Sequence, residues 1–193
     1  MSDSEPEKKV PFWKNPFLLA FLLGAVFLTL MPFAQRRFLK APPPVMQLAA
    51  WEAPPLSSST YANKVVLLTA EAGACDDDCV KRQTDFGTAT RHVDDLGNIA
   101  LVSLVSAEAR EKVAPGATSP LWKLGDASPA LLQQLEDALT TFLPPPGAHF
   151  VVAHPIVLID QNNAVRGFWP NDAAGRGNSI NAARLLAKEG PTP

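Results

Sequence analysis

The sequence predicts an α/β domain in which helices flank a central sheet, preceded by one N-terminal transmembrane helix. Three observations carry this prediction. An uncharged apolar run spans residues 17–34, strand-like and helix-like segments alternate after it, and a hairpin-like turn stands near the end of the chain. The hydrophobic fraction of 47% is enough for a packed core and excludes an intrinsically disordered protein.

The apolar run reads FLLAFLLGAVFLTLMPFA and is long enough, in helical form, to cross the hydrocarbon core of a bilayer. A cleaved signal peptide would end in a small-residue site, whereas Gln35-Arg36-Arg37 follows this run. We therefore expect an uncleaved anchor. The predicted organisation is a tail over residues 1–15, an anchor over 16–35, a linker and N-terminal extension over 36–62, and a folded domain over 63–190.

Short apolar runs alternate with longer amphipathic segments in the folded domain. Residues 64–70 (KVVLLTA) are typical of a strand buried on both faces. A helix is expected to begin near Cys75 and to continue toward Asp95, and Ser128-Pro129 is typical of the start of another. The remaining predicted elements are a strand over 99–106, a loop over 107–118, strands over 155–160 and 164–169 joined by a turn at 161–163, and a final helix near 179–188.

The order of these elements is a parallel strand–helix–strand start followed by an antiparallel hairpin, with helices on both faces. This arrangement is thioredoxin-like. It places the turn that holds Cys75 at the carboxyl end of the first strand, which is where open α/β sheets build their sites.

Charge and cysteine content exclude several classes of protein. The formal net charge of -2 arises from 17 basic and 19 acidic residues and leaves no basic surface for nucleic acid. Two cysteines are too few for a disulfide-dense scaffold or a four-cysteine zinc site.

Cys75 and Cys79 are four residues apart at the start of a predicted helix, so both sulfurs are expected on one face. They could form a disulfide or hold one metal ion. The amino end of the helix favours a thiolate, whereas Asp76, Asp77 and Asp78 oppose it. Free cysteines are often buried structural residues, but the three aspartates make this stretch too polar for a core. We therefore interpret the pair as functional.

The chain has three histidines. His92 and His149 fall in polar or loop-like stretches, where we expect solvated side chains. His154 immediately precedes Pro155 and the third strand, which in a thioredoxin-like fold begins beside the cysteine turn. Two thiolates and one imidazole form a soft three-coordinate set that suits copper, whereas zinc normally takes a fourth ligand.

Residues 45–188 resemble the Sco/SenC family of membrane-anchored, thioredoxin-like copper proteins. The matching segments are Cys75-Asp76-Asp77-Asp78-Cys79 (the CxxxC spacing), Trp122-Lys123-Leu124-Gly125, and His154 with the strand Ile156–Asp160. The resemblance implies that Cys75, Cys79 and His154 bind copper and that the protein acts in assembly of the copper site of cytochrome c oxidase. It would do so either as a metallochaperone that hands copper to the oxidase or as a thiol reductant that keeps the cysteines of the copper site reduced. Its implied partner is the copper-site subunit of the oxidase or another copper or thiol protein.

The same resemblance addresses orientation. Three basic residues flank each side of the anchor, so the positive-inside rule is undecided. Sco-like domains face a compartment with thiol–disulfide chemistry. The implied location is the bacterial inner membrane, with a single pass, the tail in the cytoplasm and the domain in the periplasm.

The sequence departs from the family pattern around the cysteines. Residues 71–74 stand where the family has an aromatic-threonine pair, and Asp76 and Val80 stand where it has proline. Two further hypotheses therefore remain. One is a thiol–disulfide oxidoreductase without a stable metal, in which Cys75 is the nucleophile and Cys79 the resolving thiol. The other is a membrane-tethered binding module whose site has decayed.

Overall fold

The structure is a computed structural model that describes residues 16–38, 41–71, 74–89, 97–114, 119–142 and 154–190. The chain divides into two compact units, residues 1–40 and residues 41–193. The second unit includes residues 41–62, which the sequence assigns to linker and extension.

The first unit contains helix α1 (Pro16–Phe38), which covers the apolar run. Its large apolar side chains are exposed within this unit, among them Phe17, Phe21 and Phe27. Over the residues that the structure describes, no helix meets the combined length and hydropathy needed to span a membrane.

The second unit is built on a mixed six-stranded sheet in the order β1-β8-β7-β4-β5-β6. The three strands β4, β5 and β6 are parallel, whereas β7 and β8 form an antiparallel hairpin beside β4. The strands are β1 (Met46–Gln47), β4 (Val65–Ala70), β5 (Ile99–Val105), β6 (Trp122–Asp126), β7 (Pro155–Ile159) and β8 (Ala164–Pro170). A separate two-stranded hairpin consists of β2 (Glu52–Ala53) and β3 (Leu56–Ser57).

Helices cover both faces of the sheet, as predicted. Strand β4 lies between β5 and β7, and residues Val65–Thr69 are buried. Alternate residues therefore pack into two separate apolar cores, one on each face. The helices are α2 (Asp77–Thr88), α3 (Ala107–Val113) and α5 (Ala173–Glu189), which line one core, and α4 (Pro129–Phe142), which lines the other together with the N-terminal segment around Trp51 and Tyr61.

One predicted detail is wrong, and one element was not predicted. Residues 107–113 form α3 and not a loop, because Ser106 caps the helix by accepting from Ala109 N–H (3.2 Å) and Ala109 and Val113 share a buried face. Residues 122–126 form the edge strand β6, which the sequence analysis did not assign. The helix that was expected to continue toward Asp95 is described only to Ala89, and residues 90–96 lie outside the described part of the chain.

Candidate thiol and metal site

The candidate site lies at the carboxyl end of β4. The backbone N–H of Glu71 donates to Leu104 O (2.8 Å), so Glu71 continues the pairing of β4 with β5. Across the sheet, β4 pairs antiparallel with β7, with Thr69 opposite Ile156. The same register, continued two residues past Thr69 and two residues back before Ile156, places Glu71 opposite His154. His154 therefore lies at the carboxyl end of β4, where the chain leaves the sheet toward the cysteines.

Cys75 and Cys79 form a disulfide, with their Cα atoms 5.2 Å apart. The first cysteine precedes α2 and the second lies in its first turn. The prediction that the two cysteines can form a disulfide is confirmed.

The disulfide is buried, with Cys75 4% and Cys79 3% exposed, and both residues belong to the apolar core under α2. The three aspartates between them are exposed. Our inference that the aspartates keep this stretch out of the core is therefore wrong. A spacing of one helical turn points both cysteines toward the sheet, while the intervening side chains occupy the outer side of the turn.

Asp76 caps the helix that carries Cys79. Its backbone is extended, and its side-chain Oδ1 accepts from Cys79 N–H at 2.9 Å. Asp77 and Asp78 follow in the first turn, where the helix dipole favours negative charge. The Asp76 carboxylate therefore neutralises part of the positive end of the helix beside Cys79.

Lys112 on α3 supplies a positive charge near the other cysteine. Its Nζ donates to the carbonyl oxygen of Cys75 at 3.4 Å and pairs with Glu108 at the same distance. An ammonium group beside a cysteine stabilises the thiolate that forms on reduction.

The carboxylate of Glu71 links three elements at this edge of the sheet. Its side chain is 10% exposed. Arg82 on α2 donates to Oε1 through Nε (3.4 Å) and Nη2 (3.3 Å), and His154 Nδ1 lies 2.8 Å from Oε2. The sequence analysis proposed neither Glu71 nor Arg82 as a site residue. The one available signal was an ionisable residue directly after an apolar strand, at the edge where the site was expected.

His154 has a side chain that is 45% exposed and a backbone φ of 50°. A positive φ is uncommon in residues other than glycine, and a following proline further restricts the backbone. The peptide bond to Pro155 is trans, because the one cis bond within the described residues joins Pro54 and Pro55.

The donor chemistry fits copper only after reduction. A disulfide offers no thiolate, and among the described residues no group of three or more His, Cys, Asp or Glu side chains is arranged to hold a metal. In the reduced form, two thiolates one helical turn apart and a half-exposed imidazole would be available. His92 and His149 lie outside the described residues.

No protein-family model and no curated protein matches the chain. Among solved structures, the chain is similar to a SCO1/SenC family lipoprotein from Bacillus anthracis str. Ames. The TM-score is 0.54 at 13% identity, over 74% of this chain and 95% of that one. BsSco, a member of the Sco family of cytochrome c oxidase assembly proteins in which a disulfide switch was identified, gives a TM-score of 0.55 at 9% identity, over 77% of this chain and 98% of that one.

A yeast mitochondrial 1-Cys peroxiredoxin is also similar, with a TM-score of 0.52 at 13% identity, over 76% of this chain and 78% of that one. At these identities the likeness shows the fold. The predicted thioredoxin-like fold is therefore confirmed, and it is shared by Sco proteins and by a 1-Cys peroxiredoxin.

Proposed function

We propose that this protein is a membrane-anchored copper-binding protein that acts in assembly of the copper site of cytochrome c oxidase. The observation that carries the proposal is a disulfide-forming CxxxC pair at the amino end of α2, together with His154 before β7, which is linked to the same helix through Glu71 and Arg82. A thioredoxin-like fold and the motifs shared with Sco proteins support it. The same dithiol could reduce cysteines of a client before copper is delivered.

The proposed cycle begins with reduction of the disulfide. Two electrons and two protons from a dithiol reductant convert Cys75–Cys79 to two thiols, and the reductant is oxidised to its own disulfide. Copper then enters as cargo, bound by the two deprotonated sulfurs and by His154. The copper-site subunit of the oxidase, or another copper or thiol protein, receives it.

The proposal includes the anchor. The uncharged run over residues 17–34 lies within helix α1, and its exposed phenylalanine and leucine side chains suit a lipid environment. We place the protein in the bacterial inner membrane, with the amino-terminal tail in the cytoplasm and the domain in the periplasm. Alkaline carbonate extraction is expected to leave the protein in the membrane pellet, whereas release into the supernatant contradicts the anchor.

The second candidate is a thiol–disulfide oxidoreductase without a stable metal. It is favoured by the disulfide itself and by Lys112 beside Cys75. In this function Cys75 attacks a client disulfide and Cys79 resolves the mixed disulfide. His154 then has no ligand role.

Copper analysis of the full-length protein in detergent separates the two candidates. After dialysis, we expect about one copper per chain in the reduced protein and little in the oxidised protein, because the disulfide removes both thiolates. A Cys75→Ser/Cys79→Ser variant, kept under reducing conditions, is the matched control and should bind little copper. Equal and negligible copper in both redox states of the wild type contradicts the copper function and favours thiol exchange.

A further inference from the structure

Glu71 connects the half-exposed imidazole of His154 to the interior of the domain. Its carboxylate is nearly buried and receives Arg82 on one oxygen and His154 on the other. The positive guanidinium compensates the charge of the carboxylate, and the Glu71 backbone is fixed by its hydrogen bond to Leu104. The Glu71 carboxylate that contacts His154 is therefore fixed by Arg82 at its side chain and by Leu104 at its backbone.

The contact decides which imidazole nitrogen carries the proton. The Glu71 oxygen that lies 2.8 Å from Nδ1 carries only lone pairs, so it repels a lone pair on Nδ1 and attracts a proton there. Nδ1 is therefore the nitrogen that carries the proton. In a neutral imidazole the other nitrogen, Nε2, then has a free lone pair. Among the described residues, no hydrogen-bond donor to Nε2 is present.

The backbone of His154 supports a positional role. Its φ of 50° is a conformation that costs on the order of 1–3 kcal/mol outside glycine and persists only where surrounding contacts impose it. The contact with Glu71 stabilises this conformation, because it holds the imidazole ring at the carboxyl end of β4.

We propose that Glu71 is a positioning residue that holds His154 in the Nδ1–H tautomer, so that Nε2 is the nitrogen available to the metal. Carboxylates commonly orient metal-binding histidines in this way. The inference rests on the proposed function, since it assigns the ligand atom of a proposed copper ligand. Arg82 supports the carboxylate and does not act on the metal.

The tautomer is measurable without copper. We would label the oxidised full-length protein with ¹⁵N-histidine in a His92→Gln/His149→Gln background, which leaves His154 as the one histidine. Long-range ¹H–¹⁵N spectra at about pH 8.5, two units above the pKa of free histidine, distinguish protonated from unprotonated ring nitrogens. We expect Nδ1 to be protonated and Nε2 unprotonated, the reverse of the preference of free histidine.

Variants separate positioning from a merely structural role. Glu71→Ala should shift His154 toward the Nε2–H form, and Glu71→Gln, which preserves shape, should give a mixture because an amide can donate or accept. Glu111→Gln, an equal charge change at an exposed position of α3, should leave the spectrum unchanged. If Glu71→Ala does not fold, the isosteric Glu71→Gln carries the test. A wild-type His154 protonated mainly on Nε2, or a spectrum that both Glu71 variants leave unchanged, overturns the assignment.

A copper titration keeps this inference distinct from the proposed function. In reduced protein loaded anaerobically, we expect Glu71→Ala to weaken copper affinity about 10- to 100-fold. A Glu71-dependent tautomer together with no copper binding in the wild type supports the positioning role and contradicts the copper function. Copper binding that is equal in wild type and both Glu71 variants overturns the positioning role and leaves the copper function standing.

Discussion

Two buried carboxylates lie at opposite ends of the central strands and are satisfied in different ways. Asp160 follows β7 and accepts from Asn162 N–H (2.9 Å), Ala164 N–H (2.8 Å) and Arg166 Nε (2.6 Å). These donors all belong to its own hairpin. Glu71 follows β4, and its partners are side chains from α2 and from the residue before β7.

The difference indicates two roles for the same chemical group. Asp160 pairs with an Arg166 side chain that is 13% exposed, and together they close the turn between β7 and β8. Glu71 closes no turn and directs its charge at an imidazole that remains half exposed. An acid bound by its own loop stabilises that loop, whereas an acid bound to a distant, accessible imidazole can orient it.

Removing Asp160 should have the largest effect on stability. Asp160→Ala leaves two backbone N–H groups and a largely buried guanidinium without their acceptor, so we expect a loss of about 3–4 kcal/mol in the free energy of unfolding. Urea denaturation of the full-length protein in detergent measures it. Thiol alkylation with and without reductant should still detect the Cys75–Cys79 disulfide. If Asp160→Ala lowers the free energy of unfolding by less than about 1 kcal/mol, Asp160 is not the more important of the two acids for stability, and the comparison with Glu71 fails.

Replacing Glu71 should cost less stability and change the site more. Glu71→Gln is expected to lower the free energy of unfolding by about 1 kcal/mol, because Arg82 and His154 are both partly exposed and can be hydrated. The same denaturation experiment, run beside Asp160→Ala, compares the two acids directly. Equal losses from the two substitutions would mean that Glu71 is a structural residue as well.

Asp76 extends the comparison to an acid at a helix end. Asp76→Ala removes the cap on Cys79 N–H and should lower the free energy of unfolding by about 1 kcal/mol. Asp77→Ala is the matched control, because it removes the same charge from the first turn without removing a cap, and should cost about 0.5 kcal/mol. The prediction fails if the two variants unfold at the same urea concentration.

Tyr61 should have the smallest effect at neutral pH. Burial raises the pKa of Tyr61 to about 12, from its ordinary value of 10.0. Below pH 10 the phenol is protonated in both folded and unfolded chains. Between pH 10 and pH 12 only the unfolded chain ionises, so stability falls. Tyr61→Phe should lose this part of the alkaline destabilisation and match the wild type within a few tenths of a kcal/mol at pH 7. The free energy of unfolding of both proteins is measured from pH 7 to pH 12. An equal alkaline decrease in the wild type and in Tyr61→Phe would contradict the prediction.

Strong local patterns made several parts of the fold predictable. The predicted strand at 64–70 contains the central strand β4 (Val65–Ala70), and the turn at 161–163 joins an antiparallel hairpin. Ser128 accepts from Leu131 N–H (3.3 Å) at the start of α4, as its residue type indicated. Each of these signals depends on neighbouring residues and needs no tertiary partner.

Weak or distant signals escaped prediction. The helix α3 buries only Ala109 and Val113, and the edge strand β6 fully buries only Trp122 and Gly125, so neither has a clear period. The pairing of Glu71 with Arg82 and His154 depends on strand register and helix placement, which no local pattern encodes. Burial of the disulfide was misjudged because the three aspartates between the cysteines are exposed, whereas the cysteines themselves face the core.

The most direct test of the copper function compares the two oxidation states of copper in His154→Ala. Two thiolates alone can still hold Cu(I), whereas Cu(II) depends more strongly on the imidazole nitrogen. We therefore predict that His154→Ala weakens Cu(II) binding more than Cu(I) binding, while Cys75 and Cys79 still form their disulfide. Stoichiometric Cu(II) binding that survives His154→Ala unchanged would contradict the ligand assignment and, with it, the preference for copper over thiol exchange.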